Sequence, residues 1–257
     1  MATTEPFADA ADAASASAAP GAPAPGTPAA GTSGPPAVDT PAHALPPGVE
    51  RLWSGRVPGL AAAALADRRL LDAEESARLD AFRRPVDRDA YAVAHVTLRR
   101  LLGERLGRSP ESVELARRPC SQCGGPHGRP VVPGDPVHFS LSHTEGMVVI
   151  ALAPAPVGVD TETLPAPGTV AEIMDQLHPR EHSELAALPA AERPLAFARC
   201  WTRKEAVLKA SGVGLNERLS RTYVGAGPRP ATDTGWLLTD VPTDPGWAAA
   251  VAVRAPG

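Results

Sequence analysis

The sequence predicts an α+β fold of two similar halves preceded by a disordered tail. Two observations carry this prediction. A helical pattern followed by antiparallel strand patterns occurs twice, once before residue 155 and once after it. The two units meet at Ala153-Pro154-Ala155-Pro156, where closely spaced prolines interrupt both periodicities. The expected organisation is a tail over residues 1–47, an N-terminal subdomain over 48–154 and a C-terminal subdomain over 155–257.

Composition narrows the function classes. The tail holds ten prolines and almost no large apolar residue, so it cannot repay the entropy of ordering. The net charge of −4 comes from that tail: Glu5, Asp9, Asp12 and Asp39 lie where there is no Lys or Arg. The remaining chain is near neutral, which argues against a general nucleic-acid binder. No run of 18 apolar residues and no secretory leader pattern occurs, and three cysteines do not suggest a disulfide framework. A cytoplasmic monomer with no membrane partner is expected.

Folding is expected to begin near Val49–Trp53. Leu60–Leu71 and Asp72–Phe82 have helical spacing, with Asp72 as N-cap and Glu74 and Glu75 in the first turn. Arg83-Arg84-Pro85 breaks that pattern. A long helix then starts at Asp87 or Asp89, carries Tyr91, Ala94, Leu98, Leu101 and Leu102 on one stripe, and ends at Gly103 or Gly107. Val113–Ala116 reads as a short strand. Residues 136–143 alternate apolar and polar, and 147–153 are nearly all apolar, so the two form a hairpin turning at Gly146. Val170–Leu177 and the segment from Pro179 to Leu188 are helical, as is the stretch containing Phe197, Trp201 and Leu208. Gly212 and Gly214 stop that last helix, and short strands follow from Thr222, including 236–238 and 247–253.

Four groupings have chemical potential. In Val157–Glu162 a strand places Gly158, Asp160 and Glu162 on one face, the two carboxylates side by side and the glycine clearing space beside them. Paired carboxylates there need open solvent or a cation, and Mg²⁺ with a substrate phosphate suits the geometry. Glu205 and Lys209 lie one helical turn apart beside the anchoring Trp201; they form either a surface pair or a working pair at the edge of buried surface. His143 sits at the hairpin turn. Cys120-Ser121-Gln122-Cys123 with His127 is half of a zinc motif or a reduced loop, the second half being absent. Glu181, in the first turn after Pro179, is accounted for by the helix dipole alone.

Gly158-Val159-Asp160-x-Glu162 together with Trp201-Thr202-x-Lys204-Glu205-Ala206-x-x-Lys209-Ala210-x-Gly212-x-Gly214-Leu215 resembles the paired signature of 4′-phosphopantetheinyl transferases. The likeness is to the broad-specificity, two-halved type, with an actinobacterial-like cysteine loop. It extends upstream to Gly128-Arg129-Pro130 and Phe139-Ser140-Leu141-Ser142-His143. The resemblance implies transfer of the phosphopantetheine arm of coenzyme A to a serine of an apo-carrier protein of the acyl, peptidyl or polyketide type, releasing adenosine 3′,5′-bisphosphate. It implies Mg²⁺ held by Asp160, Glu162 and Glu205, with Glu181 as general base. Lys209, Lys204, Ser142, His143 and Arg129 are implied contacts to coenzyme A, and Arg84 is a further candidate. His95 stands where relatives often carry arginine, and Arg99 is its possible substitute. The alternative implied is a non-catalytic module of the same fold that binds coenzyme A or a carrier protein.

Overall fold

The computed structural model describes residues 37–119, 124–125, 128–212, 219–231 and 235–256. Residues 1–36 and the Cys120–Cys123 motif with His127 lie outside this set, as does Gly214. All strand pairings among the described residues are antiparallel, and the fold is a mixed α and β architecture.

The N-terminal half is built on a four-stranded sheet. Strand β1 (Ala37–Asp39) lies on β2 (Arg51–Arg56), which pairs with β6 (Met147–Ala153), which in turn pairs with β5 (His138–Thr144). β1 falls inside the segment expected to be disordered, so that expectation is corrected from Ala37 onward. Val38 pairs with Ser54, the Thr40 amide reaches the Leu52 carbonyl at 2.9 Å, and Arg51 binds Asp39 at 2.5 Å. An exposed sheet edge thus orders a stretch whose only large apolar residue, Val38, stays exposed.

Three helices lie between β2 and β5. Helix α1 (Val57–Ala66) begins earlier and ends earlier than predicted, because Arg68–Leu70 tightens into a 3-10 turn. Helix α2 (Ala73–Ala81) has the predicted Asp72 cap, completed into a capping box by Glu75. Helix α3 (Pro85–Leu106) starts at the proline read as a breaker. Pro85 occupies the first turn, where its missing N–H costs nothing. Gly107, at φ 64°, is the left-handed residue that ends it. The predicted 113–116 strand is displaced to β3 (Ala116–Arg117), which pairs with β4 (Pro130–Val131) at the base of the cysteine loop. Tyr91, Ala94, Leu98 and Leu102 pack on Phe139, Ile150 and Leu152, forming the first core.

The second half repeats the ingredients. Strand β7 (Val157–Thr163) pairs with the central β9 (Trp247–Arg254), and β8 (Trp236–Val241) lies on the far side of β9. Helices α4 (Pro167–Ile173), α5 (Pro179–Ala186) and α6 (Arg193–Ser211) come between β7 and β8. The second core gathers Leu177, Leu185, Phe197, Trp201 and Val207 with Ala250 and Ala252. A third core joins the sheets, with Leu52, Val149 and Ala151 from one and Val159, Val251 and Trp247 from the other. No helix of the described residues is long and apolar enough to cross a membrane.

Candidate active site at the seam between the sheets

The sheets meet where β5 runs beside β7, and serine hydroxyls replace a backbone ladder at that edge. The Val159 amide donates to Ser140 Oγ at 3.0 Å, and the Thr161 amide donates to Ser142 Oγ at 3.4 Å. Two hydroxyls satisfy backbone amides that would otherwise be orphaned in a buried seam.

Strand alternation directs Val157 and Val159 into the core between the sheets and turns Gly158, Asp160 and Glu162 toward α6. The sequence reading took Gly158 to clear space beside the acids. That space belongs to α6: a Cβ at Gly158 would stand 2.0 Å from the Ala206 carbonyl oxygen and 2.5 Å from the Ala210 amide nitrogen. A helix carrying Glu205 and Lys209 therefore presses directly on the strand carrying Asp160. Gly158→Ala is expected to force the two apart and destabilise the fold by about 1–3 kcal/mol, as overpacking does. Chemical denaturation checks this, and an unchanged midpoint would show that the close approach is not needed.

Asp160 is fully buried. Its Oδ1 accepts from Lys209 Nζ at 2.8 Å and from Ser142 Oγ at 2.9 Å, and Lys209 Nζ also donates to Ser142 at 3.0 Å. Its Oδ2 has no hydrogen-bond partner, and neither does the buried Oε1 of Glu205. Burial pushes the Glu205 carboxyl up to about 7, with a further rise from facing Asp160 and a partial offset from Lys209. Orphaned carboxylate oxygens that repel one another fit a cation, and Mg²⁺ is content with one or two carboxylates, water and phosphate. Glu162 lies on the same strand face and is the most exposed of the three acids, at 8%. Among the described residues no three His, Cys, Asp or Glu side chains are arranged to hold an ion, so the expected three-carboxylate set is not assembled as one cage.

His143 is buried next to this cluster. Burial, then the nearby His95, Lys209 and Arg78, hold it down to about 3, so it is neutral at pH 7. A histidine with a lowered folded pKa stabilises fully above its ordinary 6.5 and loses that contribution as pH falls toward 3. His143→Gln is expected to flatten stability against pH over that window, and urea titrations at pH 4 and 7 measure it.

Arg78 and His95 are the residues the sequence reading missed or left open here. Arg78 is one of several charges on α2, and nothing in its spacing marks it. His95 stacks on Tyr91 with ring centroids 3.9 Å apart and meets Glu75 through Nδ1 at 2.9 Å. Arg99 does not substitute for an arginine at His95. It is 1% exposed and is held by Glu75 and Asp72 at 2.5 Å each and by the Val113 carbonyl at 3.0 Å.

Arg129 is half-buried at the C-terminal end of α6, where it donates to the Ala210 carbonyl at 3.4 Å and faces His138 Nδ1 at 3.3 Å. Arg84 is largely exposed and lies 3.6 Å from both Asp87 and Glu145.

Two expected site residues are placed elsewhere. Glu181 is 0% exposed and receives hydrogen bonds at both oxygens: Oε1 from the Val224 and Gly225 amides at 2.7 and 3.2 Å, Oε2 from the His178 amide at 3.1 Å and Lys204 at 2.7 Å. Both Glu181 oxygens are thus engaged by protein donors in a fully buried position. Lys204 is likewise engaged by Glu181 and by the Leu219 and Thr222 carbonyls.

The chain is similar in sequence to known proteins. A family model for the 4′-phosphopantetheinyl transferase superfamily matches residues 156–244, the span from β7 to just beyond β8. The chain is 30% identical over 194 residues to the 4′-phosphopantetheinyl transferase HetI of Nostoc sp., covering 71% of this chain and 78% of that protein. It is 28% identical to psf-1 of Bacillus pumilus over 192 residues, covering 71% of this chain and 78% of the relative. It is 30% identical to Sfp of Bacillus subtilis over 155 residues, covering 58% and 68%. The chain belongs to the 4′-phosphopantetheinyl transferase superfamily.

Proposed function

We propose that this protein transfers the 4′-phosphopantetheine arm of coenzyme A to a serine of apo-carrier proteins, those of peptide and polyketide synthases among them, in a Mg²⁺-dependent reaction. The observation that carries the proposal is the pair of orphaned buried oxygens, Asp160 Oδ2 and Glu205 Oε1, beside Lys209 at the seam. Mg²⁺ bound there would neutralise charge on the pyrophosphate as the leaving group departs.

The remaining roles follow from this chain's side chains. Lys209 uses two of its three protons on Asp160 and Ser142, which leaves one for a phosphate oxygen. Neutral His143 and Ser142 line the same place, and Arg129 offers a cation near the end of α6 for the nucleotide phosphate, with Arg84 a more distant candidate. The serine oxygen attacks the β-phosphorus, the anhydride P–O bond breaks, and adenosine 3′,5′-bisphosphate leaves with that oxygen. Because both Glu181 oxygens are held by protein donors, we assign the serine proton to the most exposed seam carboxylate, Glu162, directly or through water.

We also read the chain as a two-halved, monomeric enzyme with subdomains dividing near residue 155. The matching strand orders support this: β2-β6-β5 in one half and β7-β9-β8 in the other, each a strand, then helices, then a hairpin whose second strand is central. Incubating the protein with coenzyme A, Mg²⁺ and a panel of apo-carrier proteins should raise carrier mass by one phosphopantetheine. Unchanged masses across the panel, with coenzyme A still bound, would favour the non-catalytic module instead.

A further inference from the structure

The backbone of the irregular segment 219–227 is hydrogen-bonded by charged side chains from two helices, while Val224 and Ala226 enter the second core. Its carbonyls at Leu219 and Thr222 accept from Lys204, and those at Gly225 and Gly227 accept from Arg203 at 2.6 and 2.9 Å. Its amides at Val224 and Gly225 donate to Glu181, and the Ala226 amide donates to Glu184 at 2.8 Å. Arg203 is 0% exposed, and its guanidinium also grips Asp240 of β8 bidentately, at 2.7 and 2.5 Å. All three nitrogens of this buried cation therefore donate, Nε and Nη2 to β8 and Nη1 to segment 219–227. A buried ion pair is a poor way to gain stability and a good way to fix one arrangement of elements.

Arg203 sits two residues before Glu205, so at 3.6 residues per turn the two point about 160° apart around α6. Gly158 packs against the backbone of α6 between Ala206 and Ala210, which on the same count lies within about 60° of Arg203, so β7 sits tight against the helix beside it. The roll of α6 is thus fixed at two points, by β7 at Gly158 and by Asp240 at Arg203, and that roll decides whether Glu205 Oε1 faces Asp160.

We infer that Arg203, through its bidentate grip on Asp240 and its bonds to the Gly225 and Gly227 carbonyls, is a positioning residue that seats Glu205 opposite Asp160 for cation binding. The inference rests on the proposed role of that acidic pair. Arg203 touches neither substrate nor the acidic pair; it acts through the helix.

The test measures Mn²⁺ affinity by electron paramagnetic resonance without coenzyme A, alongside turnover and far-ultraviolet circular dichroism. Arg203→Gln that retains native dichroism is expected to lose about tenfold or more in Mn²⁺ affinity and in kcat, the scale seen for residues that orient metal ligands, with carrier KM little changed. Arg203→Lys, which can still reach one oxygen of Asp240, should recover part of both. Folded Arg203→Gln with wild-type Mn²⁺ affinity would overturn the inference. Should that variant fail to fold, Asp240→Asn decides the matter: reduced affinity supports positioning, and wild-type affinity overturns it. If the wild type binds Mn²⁺ but transfers nothing, the functional proposal fails while the positioning result stands.

Discussion

Glu205→Gln is expected to lower turnover by about 10²–10³-fold, the loss typical when one preorganised electrostatic contact to developing charge is removed. The same substitution should make the protein more stable in chelator at pH 8. The folded-state pKa of Glu205 is raised from 4.5 to about 7 by burial and by Asp160. A carboxyl with a raised pKa is comfortable while protonated, so its contribution is fully present below 4.5 and is lost as pH climbs through 7. The charged form therefore costs roughly 3 kcal/mol at pH 8, and glutamine removes that cost. The stability gap between variant and wild type should widen from pH 4.5 to 7 and then level off. Mg²⁺ should narrow it by stabilising the wild type alone, since a ligand that binds only the folded state adds to its stability. Lost turnover without a stability gain would mean that Glu205 carries no buried, uncompensated charge. Full activity would remove it from the site.

Lys204→Met is the second large effect. It leaves Glu181 buried without its cation, and breaking one side of such a pair costs about 3–5 kcal/mol. Glu181→Gln in the Lys204→Met background removes the stranded charge, so the double variant should be markedly more stable than Lys204→Met alone. The coupling between the two positions is the readout. Turnover should follow stability, because both residues serve the scaffold around segment 219–227. A folded double variant whose coenzyme A binding is intact but whose chemical step is as slow as that of Glu181→Gln would return Glu181 to catalysis.

These two predictions mark where the sequence was legible. Asp160 and Glu162 share a strand face, and Glu205 and Lys209 share a helix row. Both are local periodicities that spacing reveals without knowledge of the fold. The hairpin at Gly146 and the Asp72 cap are local in the same sense, and both are present. The contacts of Glu181 and Lys204 were not legible because their partners lie on an irregular segment distant in sequence, and no periodicity connects residue 181 to residues 224 and 225. Gly158 was recognised as making room, but only the fold reveals that α6 takes that room. Pro85 punctuates the chain equally well as a stop or a start, and the tertiary packing of α3 decides between them. Ala37–Asp39 pairs because β2 offers an edge, a cause that composition does not record.

The central claim is that Asp160 and Glu205 seat a divalent cation at the seam beside Lys209. Titrating Mn²⁺ into chelator-treated protein, with free Mn²⁺ read by electron paramagnetic resonance, tests it without any turnover. The account predicts one site, tighter when coenzyme A is added and lost in both Asp160→Asn and Glu205→Gln. Binding that is absent from the wild type with coenzyme A present, or that survives unchanged in both variants, would contradict it.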